Sequence, residues 1–309
     1  MNICPITYKP CGNKKYSEEG LHLLSKNLKE LNDLPLTQEE LLREAAIRSV
    51  KMSIQGVQPK LSAKLRPREN KFEIVDCYGE YILKPQSNFY REFPKNEDLT
   101  MRLASLIEIE IPLHGLVYSI DGNVTYFIKR FDRYAKYKKL SLEDFAQLAG
   151  KSREIKYDYS MEKLVTLIET FCTFPLIEKV KLFRLTIFNF ITGNEDMHLK
   201  NYSLITRDEK VELSPAYDLL NTTIAMPGAQ EEIALSLSGK KRNLNAKILI
   251  DYWGREKLKL NNTIIFKVLD KISDAWNEWE RLINVSFLSK EMKEKYYGLL
   301  MERKKRLGI

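Results

Sequence analysis

Apolar residues early in the chain recur at helical spacing. Leu21, Leu24, Leu28 and Leu31 form one stripe on a predicted helix over 18–31, and 37–50 reads as a second helix. Thr37 followed by Glu40 predicts a capping box at the start of the second. The period then shortens to two. Residues 61–65 read as a strand, and 72–75 with 81–83 as a hairpin around Tyr78-Gly79. A further hairpin, 116–120 with 124–128, is predicted around Asp121-Gly122. Leu99, Leu103 and Ile107 place one helix over 97–107, so 51–131 reads as a sheet with an inserted helix. After Phe131 helical spacing returns over 141–148, 160–171 and 176–190. The last of these carries a stripe of Leu176, Val180, Phe183, Ile187 and Phe190, expected to be core. A short hairpin over 202–213 turns at Arg207-Asp208-Glu209-Lys210, and 245–306 is mostly helical. The pattern predicts an α+β chain with a sheet-rich N-terminal lobe, 1–131, and a helical C-terminal lobe, 132–309. The expected hinge lies at Lys129 to Arg133.

Composition narrows the class. A chain of 309 residues suits two domains or lobes. The longest apolar-rich stretch, 176–193, is interrupted by Glu178, Lys179, Lys181 and Arg184, so no membrane span is expected. No basic segment leads into an apolar run at the N-terminus, which makes a cytoplasmic protein the expectation. Four cysteines do not make a disulfide scaffold. Cys4 and Cys11 lack zinc-knuckle spacing and read as solvated or half-buried thiols, while Cys77 and Cys172 read as core. The net charge of +8 permits nucleic-acid binding, but no recognition helix or zinc pattern supports it, so DNA contact is expected only through a partner.

The chemistry concentrates in Gly193-Asn194-Glu195-Asp196-Met197-His198-Leu199-Lys200-Asn201 and in Ser214-Pro215-Ala216-Tyr217-Asp218. A polar cluster between an apolar helix and a hairpin needs a reason. Phosphoryl transfer supplies one. It needs a carboxylate to orient and deprotonate the acceptor hydroxyl, and oxygen ligands to hold Mg²⁺ against the triphosphate. In protein kinases an Asp and an Asn five residues apart share this work, and a second Asp after a hairpin takes the main metal. Asp196, Asn201 and Asp218 match that order. Upstream, Lys84 ends a predicted strand and Glu97 opens the next helix, as a phosphate-binding lysine and its helix partner would.

The phosphate loop would be Ser53-Ile54-Gln55-Gly56-Val57-Gln58-Pro59-Lys60-Leu61, which carries one glycine where ordinary protein kinases carry three. Here the chain resembles the HipA family of toxin Ser/Thr kinases. The resemblance extends to Lys129-Arg130-Phe131-Asp132-Arg133, to Gly193–Asn201, to Ser214–Leu220 and to Leu235–Lys241. It implies a protein-kinase-like, two-lobed fold related to phosphatidylinositol kinases. It also implies roles. Gln55, Gly56, Val57, Gln58, Pro59 and Lys60 would form the phosphate loop, and Lys84 would bind the α- and β-phosphates of ATP. Lys129, Arg130 and Phe131 would meet the adenine, and His198 and Tyr217 would lie against the nucleotide. Asp196 would be the catalytic base, Asn201 and Asp218 the Mg²⁺ ligands, and Ser53 an autophosphorylation site. Only about fifty mostly helical residues precede the phosphate loop, which is similar to the short HipT kinase of HipBST systems. A HipS-like small antitoxin, a HipB-like DNA-binding protein and an aminoacyl-tRNA synthetase substrate are the partners so implied.

Two other readings stand beside this one. A kinase-like module could hold nucleotide and antitoxin partners without turnover. A small-molecule phosphotransferase shares the Asp-x-x-x-x-Asn loop, but such enzymes typically place His before the Asp, whereas His198 follows Asp196.

Overall fold

The computed structural model describes residues 1–49, 59–135, 138–150, 157–226, 228 and 231–309. The chain divides into two compact units. The first comprises Met1–Leu99, Pro112–Tyr137 and Asn284–Leu288, and the second Thr100–Ile111, Lys138–Ile283 and Ser289–Ile309.

The first unit carries α1 (Glu18–Leu24), α2 (Gln38–Ser49), β1 (Leu61–Arg66), β2 (Lys71–Ile74), β3 (Tyr81–Lys84), the start of α3 (Phe93–Leu106), β4 (His114–Tyr118), β5 (Val124–Lys129) and β6 (Arg133–Ala135). Five strands form an antiparallel sheet in the order β2-β1-β3-β5-β4. β2 and β3 both pair with β1, so the expected hairpin around Tyr78-Gly79 does not form. The link from β2 to β3 instead passes across β1, with Val75 N–H donating to the Ser62 carbonyl and Glu80 N–H to that of Ala63, both at 2.9 Å. Gly79 permits this approach, because a Cβ there would stand 1.9 Å from Ser62 Oγ. The β4–β5 hairpin forms as expected, two residues earlier in β4, with Gly122 in the left-handed region at φ 78°.

The capping box of α2 is present: Thr37 N–H donates to Glu40 Oε2 at 2.8 Å, and Glu40 N–H to Thr37 Oγ1 at 3.3 Å. The first helix is shorter than its apolar spacing predicts. It stops at Leu24, where Ser25 turns extended, yet Leu28 and Leu31 still reach the core from the following turns. That core gathers Leu21, Leu28, Leu41, Leu61 and Leu83 around Phe72, Tyr81 and Phe127, with Phe72 and Tyr81 edge-to-face at 5.1 Å. Fully burying each large apolar side chain contributes roughly 1.5–3 kcal/mol. Cys4 lies inside this core and Cys77 is exposed on the β2–β3 link, the reverse of the expectation for both; Cys172 is buried as expected.

The second unit carries the rest of α3, then β7 (Lys138–Lys139), β8 (Leu142–Asp144), α4 (Phe145–Leu148), α5 (Met161–Phe171), α6 (Pro175–Thr192), β9 (Ser203–Arg207), β10 (Lys210–Leu213) and α7 (Thr222–Ala225). A π-helical segment (Lys247–Lys257), α8 (Asn262–Asp274), α9 (Trp276–Val285) up to Ile283, and α10 (Lys290–Leu307) complete it. The expected helix over 141–148 is a strand followed by a single helical turn. β8 pairs with β9, and Asp144 caps α4 through a reciprocal box with Gln147, which bars the helix from starting earlier. β9 and β10 form the expected hairpin and complete a three-stranded sheet in the order β10-β9-β8. From Leu182 onward α6 is buried on almost every side, which makes it the axis of this unit, although Leu176 of the expected stripe is exposed. Trp279 packs edge-on against Phe188 at 5.8 Å and donates its indole N–H to the Leu103 carbonyl. Among the described residues no helix is long and apolar enough to cross a membrane.

Candidate active site

In the first unit, strand alternation decides which side chains face α3. The register pairs Lys84 with Tyr126 and Tyr126 with Leu116, so Lys84, Tyr126 and His114 share one face of the sheet. α3 lays Glu97 and Asp98 on that face. The Lys84 ammonium is ion-paired with the Glu97 carboxylate, both groups almost wholly buried, and it lies 5.5 Å from the Tyr126 ring centroid. His114 Nδ1 is 2.9 Å from Asp98 Oδ1, also buried. The sequence pointed to Lys84 and Glu97. It did not reveal Asp98, His114 or Tyr126, whose nearness depends on strand register rather than on spacing.

Pro59 and Lys60 are half-buried just before β1. Ser53, Gln55, Gly56, Val57 and Gln58 lie outside the described residues. Lys129 ends β5 with its side chain exposed, and its N–H donates to the Leu113 carbonyl at 2.8 Å. The Arg130 guanidinium grips Asp132 through two parallel bonds of 3.0 and 2.9 Å, and Phe131 is half-buried beside it.

In the second unit, α6 ends at Gly193, whose φ of 68° closes the helix. A Cβ there would stand 2.5 Å from Leu299 Cδ2 and 2.6 Å from Thr223 Oγ1. The loop that follows is strapped to α7. Thr222 and Thr223 hydroxyls donate to the Gly193 carbonyl at 3.1 Å each, Glu195 N–H donates to Thr222 Oγ1 at 2.7 Å, and Thr223 Oγ1 is 2.6 Å from Glu195 Oε1. Burial pushes the Glu195 carboxyl above the usual carboxylate range.

Asp196 is half-buried and its main chain is fixed from three directions. Its N–H donates to Asn194 Oδ1 at 3.2 Å, and its carbonyl accepts from His198 N–H at 2.8 Å and from Asn201 Nδ2 at 2.9 Å. Its carboxylate accepts from the Tyr157 hydroxyl. Tyr157 also sets its ring edge-on to the buried His198 ring at 5.1 Å. Tyr157 is 39 residues from Asp196 in sequence, and no spacing rule points to it.

Tyr217 joins the remaining pieces. Its hydroxyl lies 2.6 Å from Ser203 Oγ on β9 and donates to the Lys200 carbonyl at 3.0 Å. Burial raises this phenol well above its ordinary value, so it stays protonated as a donor. Tyr217 thereby ties the segment bearing Asp218 to the one bearing Asn201. Asp218 itself is half-buried in the left-handed region at φ 55°, an uncommon conformation for a non-glycine residue. Among the described residues no three His, Cys, Asp or Glu side chains converge on one point. One amide oxygen and one carboxylate nevertheless suit Mg²⁺, which keeps waters and phosphate oxygens as its other ligands.

The family model of the HipA-like C-terminal domain matches residues 52–279. The chain belongs to the HipA-like family. A "Putative kinase" of Haemophilus influenzae is 30% identical over 93% of this chain and 92% of its own length. The Ser/Thr-protein kinase toxin HipA of Shewanella oneidensis is 27% identical over 55% of this chain, a match that spans 43% of the toxin. Solved structures share the fold, among them two of bacterial proteins. One is HipA of Shewanella oneidensis, solved with HipB and operator DNA, with a TM-score of 0.69, 21% identity, and coverage of 91% of this chain and 74% of that one. The other is the Helicobacter pylori proinflammatory kinase CtkA, with a TM-score of 0.59, 17% identity, and coverage of 83% and 91%. The HipA-like chain therefore has a kinase-like fold.

Proposed function

We propose that this HipA-like chain is an ATP- and Mg²⁺-dependent protein serine/threonine kinase that acts as the toxin of a HipA- or HipBST-type toxin–antitoxin system. The observation that carries the reading is the tie of Asp196 to Asn201, with Tyr217 binding the Asp218 segment to Lys200 and to Ser203 at the start of β9. Those are the residue types phosphoryl transfer requires, carried on loops of one unit that hydrogen bonds tie together.

The roles follow from chemistry. Lys84, held in place by Glu97, pairs with the α- and β-phosphates. Asn201 and Asp218 hold Mg²⁺, which neutralises charge on the phosphates. Asp196 takes the proton of the acceptor hydroxyl. Lys129, Arg130 and Phe131 are assigned to the adenine, and His198 to the packing that shapes the loop. The residues from Gln55 to Lys60 form the phosphate loop, and Ser53 is an autophosphorylation site. A HipS-like small antitoxin and a HipB-like DNA-binding protein are the expected partners, with an aminoacyl-tRNA synthetase as substrate and translation as the process inhibited.

Phosphoproteomics after induction, comparing the wild type with Asp196→Asn, tests the substrate. A synthetase phosphopeptide present only with the wild type is expected, and its absence overturns that assignment. Peptide mapping of the purified chain after incubation with Mg²⁺ and ATP tests Ser53. Phosphate on other residues alone removes Ser53 from the account.

A further inference from the structure

The Asp196 main chain is bound by its own loop, whereas its carboxylate is held from outside that loop, by the Tyr157 hydroxyl. A base that deprotonates a Ser or Thr hydroxyl must have that hydroxyl within hydrogen-bond reach. The hydroxyl at this position in the structure is a phenol. Tyr157 is 40% exposed, and with Tyr159, Lys163, Ser236 and Lys241 it lines an open, polar groove of about 430 Å³. We propose that Tyr157 occupies the phosphoacceptor's place on Asp196, and that the groove beside it receives the Ser- or Thr-bearing segment of the protein substrate. This rests on the kinase reading above.

The acceptor segment enters along the groove and its hydroxyl displaces the phenol. The acceptor oxygen then bonds to the γ-phosphorus as the bond from that phosphorus to the β,γ-bridging oxygen breaks. The acceptor proton passes to Asp196, and ADP leaves with the electron pair. Tyr157 is thus a specificity-determining residue: an acceptor binds only as well as it outcompetes an internal hydroxyl. Apparent affinity falls by the fraction of molecules in which the place is open.

Tyr157→Phe tests this, because it removes the hydroxyl and keeps the ring against His198. Dephosphorylated casein and water serve as probe acceptors. A hydrogen bond to a charged group is strong enough that the variant should show a roughly tenfold lower KM for casein. Its kcat and ATP affinity should match the wild type, and its ATP hydrolysis by water should rise several-fold. Tyr157→Ala should act in the same direction. Phosphate recovered on Tyr157 itself would equally place its hydroxyl at the reacting position. A wild type that labels casein, beside a Tyr157→Phe variant with unchanged KM and unchanged hydrolysis, overturns the acceptor role alone. A wild type that neither binds Mg²⁺-ATP nor labels any acceptor overturns the kinase reading, and the acceptor role with it.

Discussion

Lys84 and Glu97 illustrate how little a single residue's chemistry means apart from its neighbours. Both side chains are 2% exposed or less, and in the interior each charge is compensated by the other. Lys84→Met should therefore cost about 3–5 kcal/mol, since it takes the cationic partner from a buried carboxylate. Lys84→Met combined with Glu97→Leu should recover much of that stability in denaturant unfolding while remaining unable to bind ATP. A double variant that binds ATP normally would remove Lys84 from the nucleotide site. This pair was legible in the sequence because a strand-end lysine followed by an acid on the next helix is a local pattern, although α3 begins at Phe93, one turn before Glu97. The contacts of Asp98 with His114 and of Asp196 with Tyr157 were not legible, because register and tertiary approach create them across 16 and 39 residues.

At the scale of elements, the loop from Gly193 to Asn201 depends on how α6 ends. Gly193→Ala would put a methyl group against Leu299 and Thr223 at a left-handed φ, so a loss of about 2–4 kcal/mol is expected by thermal or chemical unfolding. Wild-type stability in that variant would show that the loop relaxes freely. Glu195 adds a pH dependence. Burial raises its folded-state pKa, so the native chain keeps this proton to higher pH than the unfolded chain does. Unfolded molecules release it first as pH rises, and stability falls from the ordinary carboxylate range up through the raised value. Glu195→Gln should flatten that fall and raise Tm near neutral pH relative to the wild type. An unchanged Tm–pH profile would contradict the assignment. Element type was readable from periodicity in α6, in the β9–β10 hairpin and in the capped α2. The errors arose where local pattern was overruled: β2 and β3 each found β1 as partner, and the edge of β9 drew 142–144 into a strand.

Across the whole molecule, the order of motifs along the chain carried the family assignment, and the match over 52–279 covers every residue given a catalytic or nucleotide-binding role. Lys84 and Glu97 belong to the first unit, and Asp196, Asn201 and Asp218 to the second. Asp218→Ala should abolish the Mg²⁺ dependence of ATP binding, as read by calorimetry with and without the metal, because it deletes the one carboxylate assigned to the cation. Retained Mg²⁺-dependent binding would place the metal elsewhere. The most direct test of the account is transfer of radiolabel from [γ-³²P]ATP to protein by the purified chain, wild type against Asp196→Asn, with Mg²⁺ present. The account predicts labelling of serine or threonine by the wild type and a loss of about 10²–10⁴-fold in the variant, whose nucleotide binding and Tm are preserved. Equal labelling by both proteins, or none by a wild type that binds Mg²⁺-ATP, would contradict it.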